Sequence, residues 1–283
     1  MNPLILGTRG SALALVQTRE TATRLRAAHP TLIIEERIIK TTGDKRLDVS
    51  LTSPGPLDKG LFTKELEEAL LRGEIHAAVH SLKDLPTTQP SGLVVAAVLE
   101  RADTSDALAS KHNGGWHTLP EGATVATCSL RRKNQMAHLR PDLSFVEIRG
   151  NMATRLRKLV ETPSIDALIL ASAAIHRLGS TLIPKGIDVS VIEEMLPAPG
   201  QGAIGIECLA SDQSTCDLLN AINHKDTELC VNAERQLLMD LGGGCSMPLG
   251  VRATIEDGRV VLVAALFEKS GVQWIHPPRA SHT

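Results

Sequence analysis

Short apolar runs alternate with amphipathic stretches through most of this 283-residue chain, and this alternation most strongly limits its fold. Apolar runs of strand length separated by helical repeats are typical of α/β sheets with parallel strands. One series runs from Pro3 to Leu99, and a second begins near Asp106. We therefore predict two doubly wound α/β lobes with a cleft between them. Hydrophobic residues form 42% of the sequence, which is enough to build a core in each lobe.

Three segments interrupt this alternation and predict the domain boundaries. The proline-rich turn 196–200 returns the chain to the first lobe, and Asp257-Gly258 between two apolar runs indicates a hairpin in a small α+β domain. Residues 41–60 are rich in Gly, Pro, Ser, Asp and Lys without a period, which is typical of a lid. The predicted division is a first lobe of residues 1–100 with 200–218, a second lobe of 105–196, and a third domain of 221–283.

Composition excludes several classes of function. With a net charge of −2, the chain has no overall positive field that would attract nucleic acid or an anionic membrane. Its aromatic content of 2%, without tyrosine, gives few rings on which bases or sugars could stack. No apolar stretch approaches the roughly 20 residues that cross a bilayer, and the first ten residues lack a signal-peptide pattern. The five cysteines include no Cys-x-x-Cys pair, so we expect no disulfide framework and a cytoplasmic location.

Two apparent motifs are rejected. The stretch Gly200–Gly205 matches G-x-G-x-x-G, but that fingerprint needs a preceding strand and a following helix, whereas prolines precede it and a strand-like run follows. A tight hinge turn is the better interpretation. His76 and His80 lie four residues apart without the glutamate of H-E-x-x-H, so we interpret them as flanking an ordinary strand and expect no metal.

Arginines cluster where predicted strands give way to helices. Arg131 and Arg132 fall in the first turn of a helix, where the helix dipole favours acidic residues. A bound anion, held by these guanidinium groups, backbone N–H groups and Ser129, would resolve that conflict. Solvated surface charge is the alternative, and it suits Arg157 and Lys158 better. The other arginines at the ends of predicted strands and helices are Arg9, Arg149, Arg155 and Arg177.

Besides these arginines, the carboxylate of Asp84 and the thiol of Cys245 stand out as candidate functional groups. Asp84 follows a predicted strand, and Pro86 restricts the turn that holds the carboxylate. A carboxylate among arginines can stabilise a cation and move a proton, although an exposed ion pair with Lys83 also explains these residues. Cys245 lies between glycines that leave room for a large group at its sulfur, although a packing cysteine is the plainer interpretation.

These segments together resemble the porphobilinogen deaminase (hydroxymethylbilane synthase) family. They run in order from Thr8-Arg9-Gly10-Ser11, through His80–Pro86, Ser129–Arg132 and Gly200–Ala203, to Gly243-Gly244-Cys245. The resemblance implies a transferase of tetrapyrrole biosynthesis that deaminates four porphobilinogen molecules and joins them head to tail into linear hydroxymethylbilane. It also implies a dipyrromethane cofactor, which the enzyme makes from its substrate and holds by a thioether to Cys245.

The resemblance assigns roles to individual residues. Asp84 is expected to be the catalytic residue, and Lys59 and Phe62 are expected at the base of the lid. The residues expected to bind the cofactor carboxylates are Ser81, Lys83, Thr127, Ser129, Arg131 and Arg132. The residues expected to bind substrate or move the growing chain are Arg9, Ser11, Arg149, Arg155 and Arg177.

The expected partner is porphobilinogen, with no nucleic acid, no membrane and a monomeric chain. Two alternatives stay open. The two lobes resemble periplasmic-type binding domains, and a binding protein for a small anion would explain the arginines but not Cys245 or Asp84. A ligand-sensing domain of a transcription regulator lacks support, because no helix-turn-helix segment is present. Family members usually continue into a closing helix, which Pro277-Pro278 cannot propagate, so we expect a shortened third domain.

Overall fold

The computed structural model describes residues 3–45, 62–244, 247–268 and 270–276. They form two compact units, the first from the described residues of Met1–Ala102 and Gly202–Asn232, the second from those of Asp103–Gln201 and Ala233–Thr283. The division into two lobes and a separate third domain stays a prediction. Within the described residues, no helix has the length and apolar character needed to cross a membrane.

A five-stranded sheet lies at the centre of the first unit, with strands and helices numbered in chain order. Its strands, from edge to edge, are β2 (Ile34–Ile38), β1 (Leu4–Thr8), β3 (Ala77–Ser81), β10 (Ile204–Leu209) and β4 (Leu93–Val98). Strands β1, β2 and β3 are parallel, whereas β10 runs antiparallel to both of its neighbours. The sheet is therefore mixed rather than parallel as predicted, because the returning segment inserts β10 between two strands of the first series.

Helices cover both faces of this sheet. Helix α1 (Ala12–Ala28) begins after Ser11, whose side chain accepts a hydrogen bond from the Ala14 N–H, as an N-cap should. Its buried Leu25 packs against Leu6 and Val79 on one face. Helix α3 (Lys64–Leu71) packs against Ala78 on the other face, since successive strand residues point to opposite sides. The unit also contains α2 (Thr42–Lys45) and α7 (Gln213–Asn220).

A second five-stranded sheet organises the second unit. Its strands, from edge to edge, are β7 (Ser144–Val146), β6 (Thr124–Ala126), β8 (Ala167–Ala171), β5 (Asp106–Ser110) and β9 (Asp188–Ile192). Strands β6, β7 and β8 are parallel, and β5 runs antiparallel to β8 and β9. Buried residues on both faces form separate core clusters, which indicates that both faces are covered. The helices of this part are α4 (Leu130–Leu139), α5 (Met152–Glu161) and α6 (Ser172–Leu178).

A small antiparallel sheet completes the second unit. Its strands are β11 (Leu249–Glu256), β12 (Arg259–Glu268) and β13 (Gly271–His276). The predicted hairpin is confirmed: Asp257 and Gly258 have φ values of 50° and 71°, as a two-residue turn of this kind requires. Helix α8 (Lys225–Asp240) begins in the first unit and ends in the second, where Leu237 and Leu238 pack on this sheet.

Residues 199–202 form a tight turn and not a nucleotide-binding loop. Gly200 and Gly202 have φ values of 72° and 87°, which glycine adopts readily. Strand β10 follows the turn, so the helix that the dinucleotide fingerprint needs is absent from this position. The prediction that this stretch is a tight turn, and not a dinucleotide fingerprint, is confirmed.

Candidate active site

A pocket in the first unit brings together residues from three segments that are distant in sequence. Its centre lies where β1 and β3 end and where α1 and α3 begin. The residues that line it are Arg9, Ser11, Leu13, Ala14, Gln17, Phe62, Thr63, Val79, His80, Ser81 and Asp84. Five of these were predicted as site residues, and the ends of parallel strands at one edge of the sheet explain why they meet.

Asp84 is held at the pocket by the residues on either side of it. Strand β3 ends at Ser81, and residues Leu82–Asp84 form a single 3-10 turn. Leu82 and Leu85 are buried in an apolar cluster with Val98, and the Leu82 N–H donates to the Ala203 carbonyl at 3.0 Å. The turn is thus fixed at both ends, while the Asp84 carboxylate itself is exposed.

The other pocket residues present one cation and several hydroxyl and amide groups. The Arg9 guanidinium lies over the Phe62 ring, 4.1 Å from its centroid, which is within range for a cation–π contact. The Ser81 hydroxyl donates to Gln17 Oε1 at 3.0 Å. Lys83 is half-buried in the same turn as Asp84. The pocket therefore offers a carboxylate and a guanidinium to a ligand.

In the second unit, Arg131 and Arg132 surround the buried carboxylate of Asp106, which was not among the predicted site residues. Asp106 Oδ2 accepts a 2.6 Å hydrogen bond from Arg131 Nη1, and Oδ1 accepts one of 2.9 Å from Arg132 Nε. Gln201 Nε2 also donates to Oδ1 at 3.0 Å. The prediction that a bound anion balances the arginines is therefore incomplete, because a protein carboxylate supplies one negative charge to two cations.

Charge and burial in this group act against each other. Asp106 is fully buried, and burial opposes its ionisation, but the guanidinium groups of Arg131 and Arg132 outweigh this and hold the pKa of the carboxyl well below its usual range. Arg131 Nε is buried and makes no hydrogen bond within the described part of the chain. Arg132 Nη2 likewise makes no hydrogen bond there, although it lies 2.8 Å from Asp106 Oδ1. One positive charge is therefore left over for a ligand, with buried donors beside it.

Two hydroxyl residues beside the arginine pair shape the start of helix α4. The Ser129 side chain accepts from the Arg132 N–H at 3.4 Å, and the Ser129 N–H donates to Thr127 Oγ1 at 3.1 Å. Ser129 is thus the N-cap of α4. Both residues were predicted to bind the cofactor, and in the structure their first function is to order this helix terminus.

The remaining predicted arginines occupy two other helices of the second unit. Arg149 lies before α5 and pairs with Glu147 at 3.0 Å. Arg155, in the first turns of α5, donates from Nε to the Gly150 carbonyl at 2.7 Å. Arg177 is half-buried near the end of α6.

His80 was interpreted as flanking an ordinary strand, and this interpretation is wrong. The residue lies inside β3, is 5% exposed and faces the buried Glu207 of β10, with 3.4 Å between Nε2 and Oε2. The sequence signal that could have revealed this contact is Glu207 itself, a single acid in the apolar strand Ile204–Leu209. Within the described residues, no group of three or more potential ligands is arranged to hold a metal ion.

The glycines beside Cys245 differ in the space around them, although Cys245, Lys59 and most of the predicted lid lie outside the described residues. Gly242 has a φ of 66°, which other residues rarely adopt. A Cβ atom at Gly243 would lie 2.8 Å from Leu238 Cδ1, whereas one at Gly244 would meet nothing within 4 Å. Pro277-Pro278, on which the prediction of a shortened third domain rests, also lies outside them.

Two mixed α/β sheets, a pocket with an exposed carboxylate and a buried arginine pair are features of an α/β enzyme that acts on a small molecule. Two family models match the chain: "Porphobilinogen deaminase, dipyromethane cofactor binding domain" over residues 4–217, and "Porphobilinogen deaminase, C-terminal domain" over residues 228–276. The chain belongs to the porphobilinogen deaminase family. It is a transferase that polymerises porphobilinogen into hydroxymethylbilane in tetrapyrrole biosynthesis, with a dipyrromethane cofactor, as the resemblance implied.

Curated relatives support the same conclusion. The porphobilinogen deaminase of Chloroherpeton thalassium is 49% identical over 90% of this chain and 80% of its own length. That of Syntrophomonas wolfei is 47% identical over 99% of this chain and 92% of its own length. That of Desulforudis audaxviator is 46% identical over 96% of this chain and 86% of its own length.

Solved structures with a similar fold are distant in sequence. A TRAP periplasmic solute binding protein from Pseudomonas putida F1 is 10% identical, with a TM-score of 0.41 over 87% of this chain and 83% of that chain. The VFT2 domain of Bordetella pertussis BvgS is 12% identical, with a TM-score of 0.42 over 84% of this chain and 90% of that chain. Likeness at this level supports no statement about function.

Proposed function

We propose that Asp84 is the catalytic residue of this porphobilinogen deaminase. The observation that carries the proposal is the pocket, where the exposed Asp84 carboxylate lies with Arg9, Ser11 and Ser81. Loss of ammonia from porphobilinogen leaves a positively charged, electron-poor ring. A carboxylate that is already fixed in place stabilises such a charge as it develops, and preorganised electrostatics of this kind is usually the largest contribution to catalysis.

The substrate carboxylates are assigned to the cationic and hydroxyl groups of the same pocket. Porphobilinogen carries an acetate and a propionate, which suit the Arg9 guanidinium and the Ser11 hydroxyl. Phe62 keeps the Arg9 guanidinium in one orientation through its ring face. We assign Arg149, Arg155 and Arg177 of the second unit to the carboxylates that accumulate as the chain grows.

The buried arginine pair suits the dipyrromethane cofactor. Arg131 and Arg132 share a single protein carboxylate, and the buried Arg131 Nε has no hydrogen bond within the described residues. A ligand carboxylate would supply both the missing charge and an acceptor. We also assign Ser81, Lys83, Thr127 and Ser129 to cofactor binding, as the resemblance implied. When bound, the dipyrromethane supplies the ring carbon to which the first substrate is joined.

We assign cofactor attachment to Cys245 and closure of the pocket to the segment that contains Lys59 and ends at Phe62. The described glycines Gly242 and Gly244 carry no side chain that would hinder a large group. We also propose that the protein works as a monomer in the cytoplasm. A reducing compartment keeps cysteines as thiols, and the described Cys128, Cys208 and Cys216 are thiols outside any disulfide.

The test combines intact mass with turnover in two variants and one control. Asp84→Asn should keep the mass of the attached cofactor but lose about 100-fold or more in kcat, since the carboxylate charge is removed without a change of shape. Cys245→Ala should lack the cofactor mass and all turnover. Asp226→Asn, on the exposed first turn of α8, should behave as the parent protein. Parental kcat in Asp84→Asn, or turnover in Cys245→Ala, would refute the respective assignment.

A further inference from the structure

Three titratable side chains lie together in the interior of the first unit. They are His80 of β3, 5% exposed, Glu207 of β10, fully buried, and Glu67 of α3, 9% exposed. The proposed roles of Asp84, Arg9 and the serines use none of them. Charged and titratable groups rarely enter a core unless they are paired or functional.

Strand register explains why His80 and Glu207 meet. His80 lies opposite Gly205, and Glu207 lies opposite Ala78, so the two side chains are diagonal neighbours on one face of the sheet. The two residues opposite them are small, which leaves space for the imidazole and the carboxylate. A larger residue does not fit at Gly205, because even a Cβ atom there would lie 2.7 Å from Leu82 Cδ1. Helix α3 covers this face and brings Glu67 to the group.

The contact is close but incompletely hydrogen-bonded. Nε2 of His80 lies 3.4 Å from Oε2 of Glu207, yet neither atom makes a hydrogen bond within the described part of the chain. The second carboxylate oxygen of Glu207 also makes none there. An arrangement selected only for stability would satisfy these groups, because unsatisfied buried polar atoms each cost about 1–3 kcal/mol. The geometry is better suited to a group that gains and loses a proton.

His80 lines the pocket together with Asp84 and Arg9. Glu207 from β10 and Glu67 from α3 lie close to His80, while Asp84 from the turn after β3 and Arg9 from the end of β1 are the charged residues of the pocket that it lines. Burial, helped by the nearby Glu207, raises the pKa of Glu67 above its usual value. Glu207, with Oε2 3.4 Å from Nε2, is the carboxylate placed to balance an imidazolium.

The chemistry of the pocket requires a group that holds a proton. Each coupling of two pyrrole units breaks a ring C–H bond and the C–N bond of an aminomethyl group, and it forms a C–C bond and an N–H bond of ammonia. One proton must therefore move from carbon to nitrogen. Imidazole suits this transfer, because its two nitrogens can bind the proton on one side and a stabilising carboxylate on the other.

We propose that His80 is a second acid–base residue of this pocket, which gives a proton to the amine nitrogen as it leaves and then takes up the proton released from the ring carbon after the C–C bond forms. Glu207 is a positioning residue, which holds Nε2 and stabilises the imidazolium. Nδ1 is then the nitrogen that exchanges the proton. This inference rests on the proposed function, because it requires porphobilinogen to occupy the pocket with Asp84.

The test compares His80→Gln and Glu207→Gln with Asp84→Asn and with the surface control His138→Gln, on the exposed side of α4. Intact mass first establishes that each variant holds the cofactor. His80→Gln should lower kcat about 100-fold with KM little changed, since general acid–base catalysis contributes at least this much. Porphobilinogen with deuterium at its free ring carbon should then show a primary isotope effect on kcat that is larger than in the parent protein.

A second measurement does not depend on turnover. In holoenzyme with isotope-labelled histidine rings, the His80 resonance is identified by its absence from His80→Gln. In Glu207→Gln this resonance should shift, because a neutral amide replaces the carboxylate that faces Nε2. The acid limb of the kcat profile should move to lower pH for the same reason.

The outcomes separate this inference from the proposed function. Parental kcat and isotope effect in cofactor-loaded His80→Gln would overturn the role of His80, even where Asp84→Asn is inactive. Parental turnover in Asp84→Asn would overturn the proposed function itself. If His80→Gln fails to fold or to hold the cofactor, Glu207→Gln decides: an unmoved acid limb would overturn the inference, and a shifted one supports it.

Discussion

Asp106 and Arg131 are joined by a 2.6 Å hydrogen bond between Oδ2 and Nη1 in the interior of the second unit. Arg132 shares the same carboxylate, so Asp106 helps to orient both guanidinium groups, together with the backbone carbonyls of Leu196 and Ile169. The pair lies where β5 meets the start of α4, so its loss would disturb both the core and the proposed cofactor contacts.

Asp106→Asn should destabilise the protein and reduce cofactor loading. Removing one partner of a buried ion pair costs about 3–5 kcal/mol, since the remaining charges stay buried without compensation. Denaturant unfolding measures the stability, and intact mass measures the loaded fraction. Glu161→Gln is the control, because its pair with Arg157 lies at the surface and should contribute little. Parental stability and loading in Asp106→Asn would contradict the central role of this carboxylate.

Gly250→Ala should destabilise the small sheet beside the cysteine loop. A Cβ atom there would lie 2.6 Å from Leu196 Cβ and 3.2 Å from the Leu196 carbonyl oxygen, so backbone would have to move. Overpacking of this kind costs about 1–3 kcal/mol. Gly244→Ala, in the loop that precedes this strand, is the control, because nothing lies within 4 Å of its added Cβ. Thermal unfolding of both variants gives the comparison, and equal melting temperatures would show that the fold relaxes around the methyl group.

Glu67→Gln should stabilise the protein increasingly as the pH rises. Burial raises the folded-state pKa of Glu67 above its unfolded value. Because of this raised pKa, the contribution of Glu67 to stability is complete below its unfolded-state pKa of about 4.5. It is lost as the pH rises through the folded-state pKa. The neutral amide avoids this loss. Melting temperatures of parent and variant between pH 4.5 and 8.5 should therefore diverge towards higher pH, and a constant difference would exclude this linkage.

Cys208 should resist alkylation in the native protein. Burial, together with the Cys216 thiol at 3.5 Å, raises the pKa of Cys208 to about 12. The thiolate is the reactive form, and almost none of it exists near pH 8. Peptide mass mapping after iodoacetamide treatment should find Cys208 unmodified in the folded protein and modified after denaturation. Rapid native modification would show that this part of the core opens.

Local sequence signals predicted much of the fold correctly. Ser11 and Ser129 are N-caps because their hydroxyls satisfy N–H groups in the first helical turn, a contact within three residues. Asp257-Gly258 is a hairpin because both residues accept positive φ. Strands β5 and β9, in contrast, have no counterpart among the predicted strands. Their five-residue runs begin with aspartate and include serine, so only their place in the sheet identifies them as strands.

The site shows the same division between local and distant contacts. Asp84, Arg9 and Ser11 lie in motifs at strand ends, and the topology of parallel strands predicts that such ends meet. Asp106 lies 25 residues from Arg131, and Glu207 reaches His80 only through the antiparallel insertion of β10. The local sequence can mark Glu207 as an unusual acid in an apolar strand, but it does not identify the partner of either carboxylate, because tertiary pairing determines it.

The shared carboxylate at Asp106 has a consequence for how a newly made molecule matures. With one acid against two guanidinium groups, the empty chain buries a surplus of positive charge. On the proposed assignment, loading the primer neutralises that surplus, and a ligand that binds only the folded form adds to its stability. Newly synthesised polypeptides would thus gain resistance to heat and to proteases in the same event that makes them competent, and cells would preferentially clear those that never acquire it.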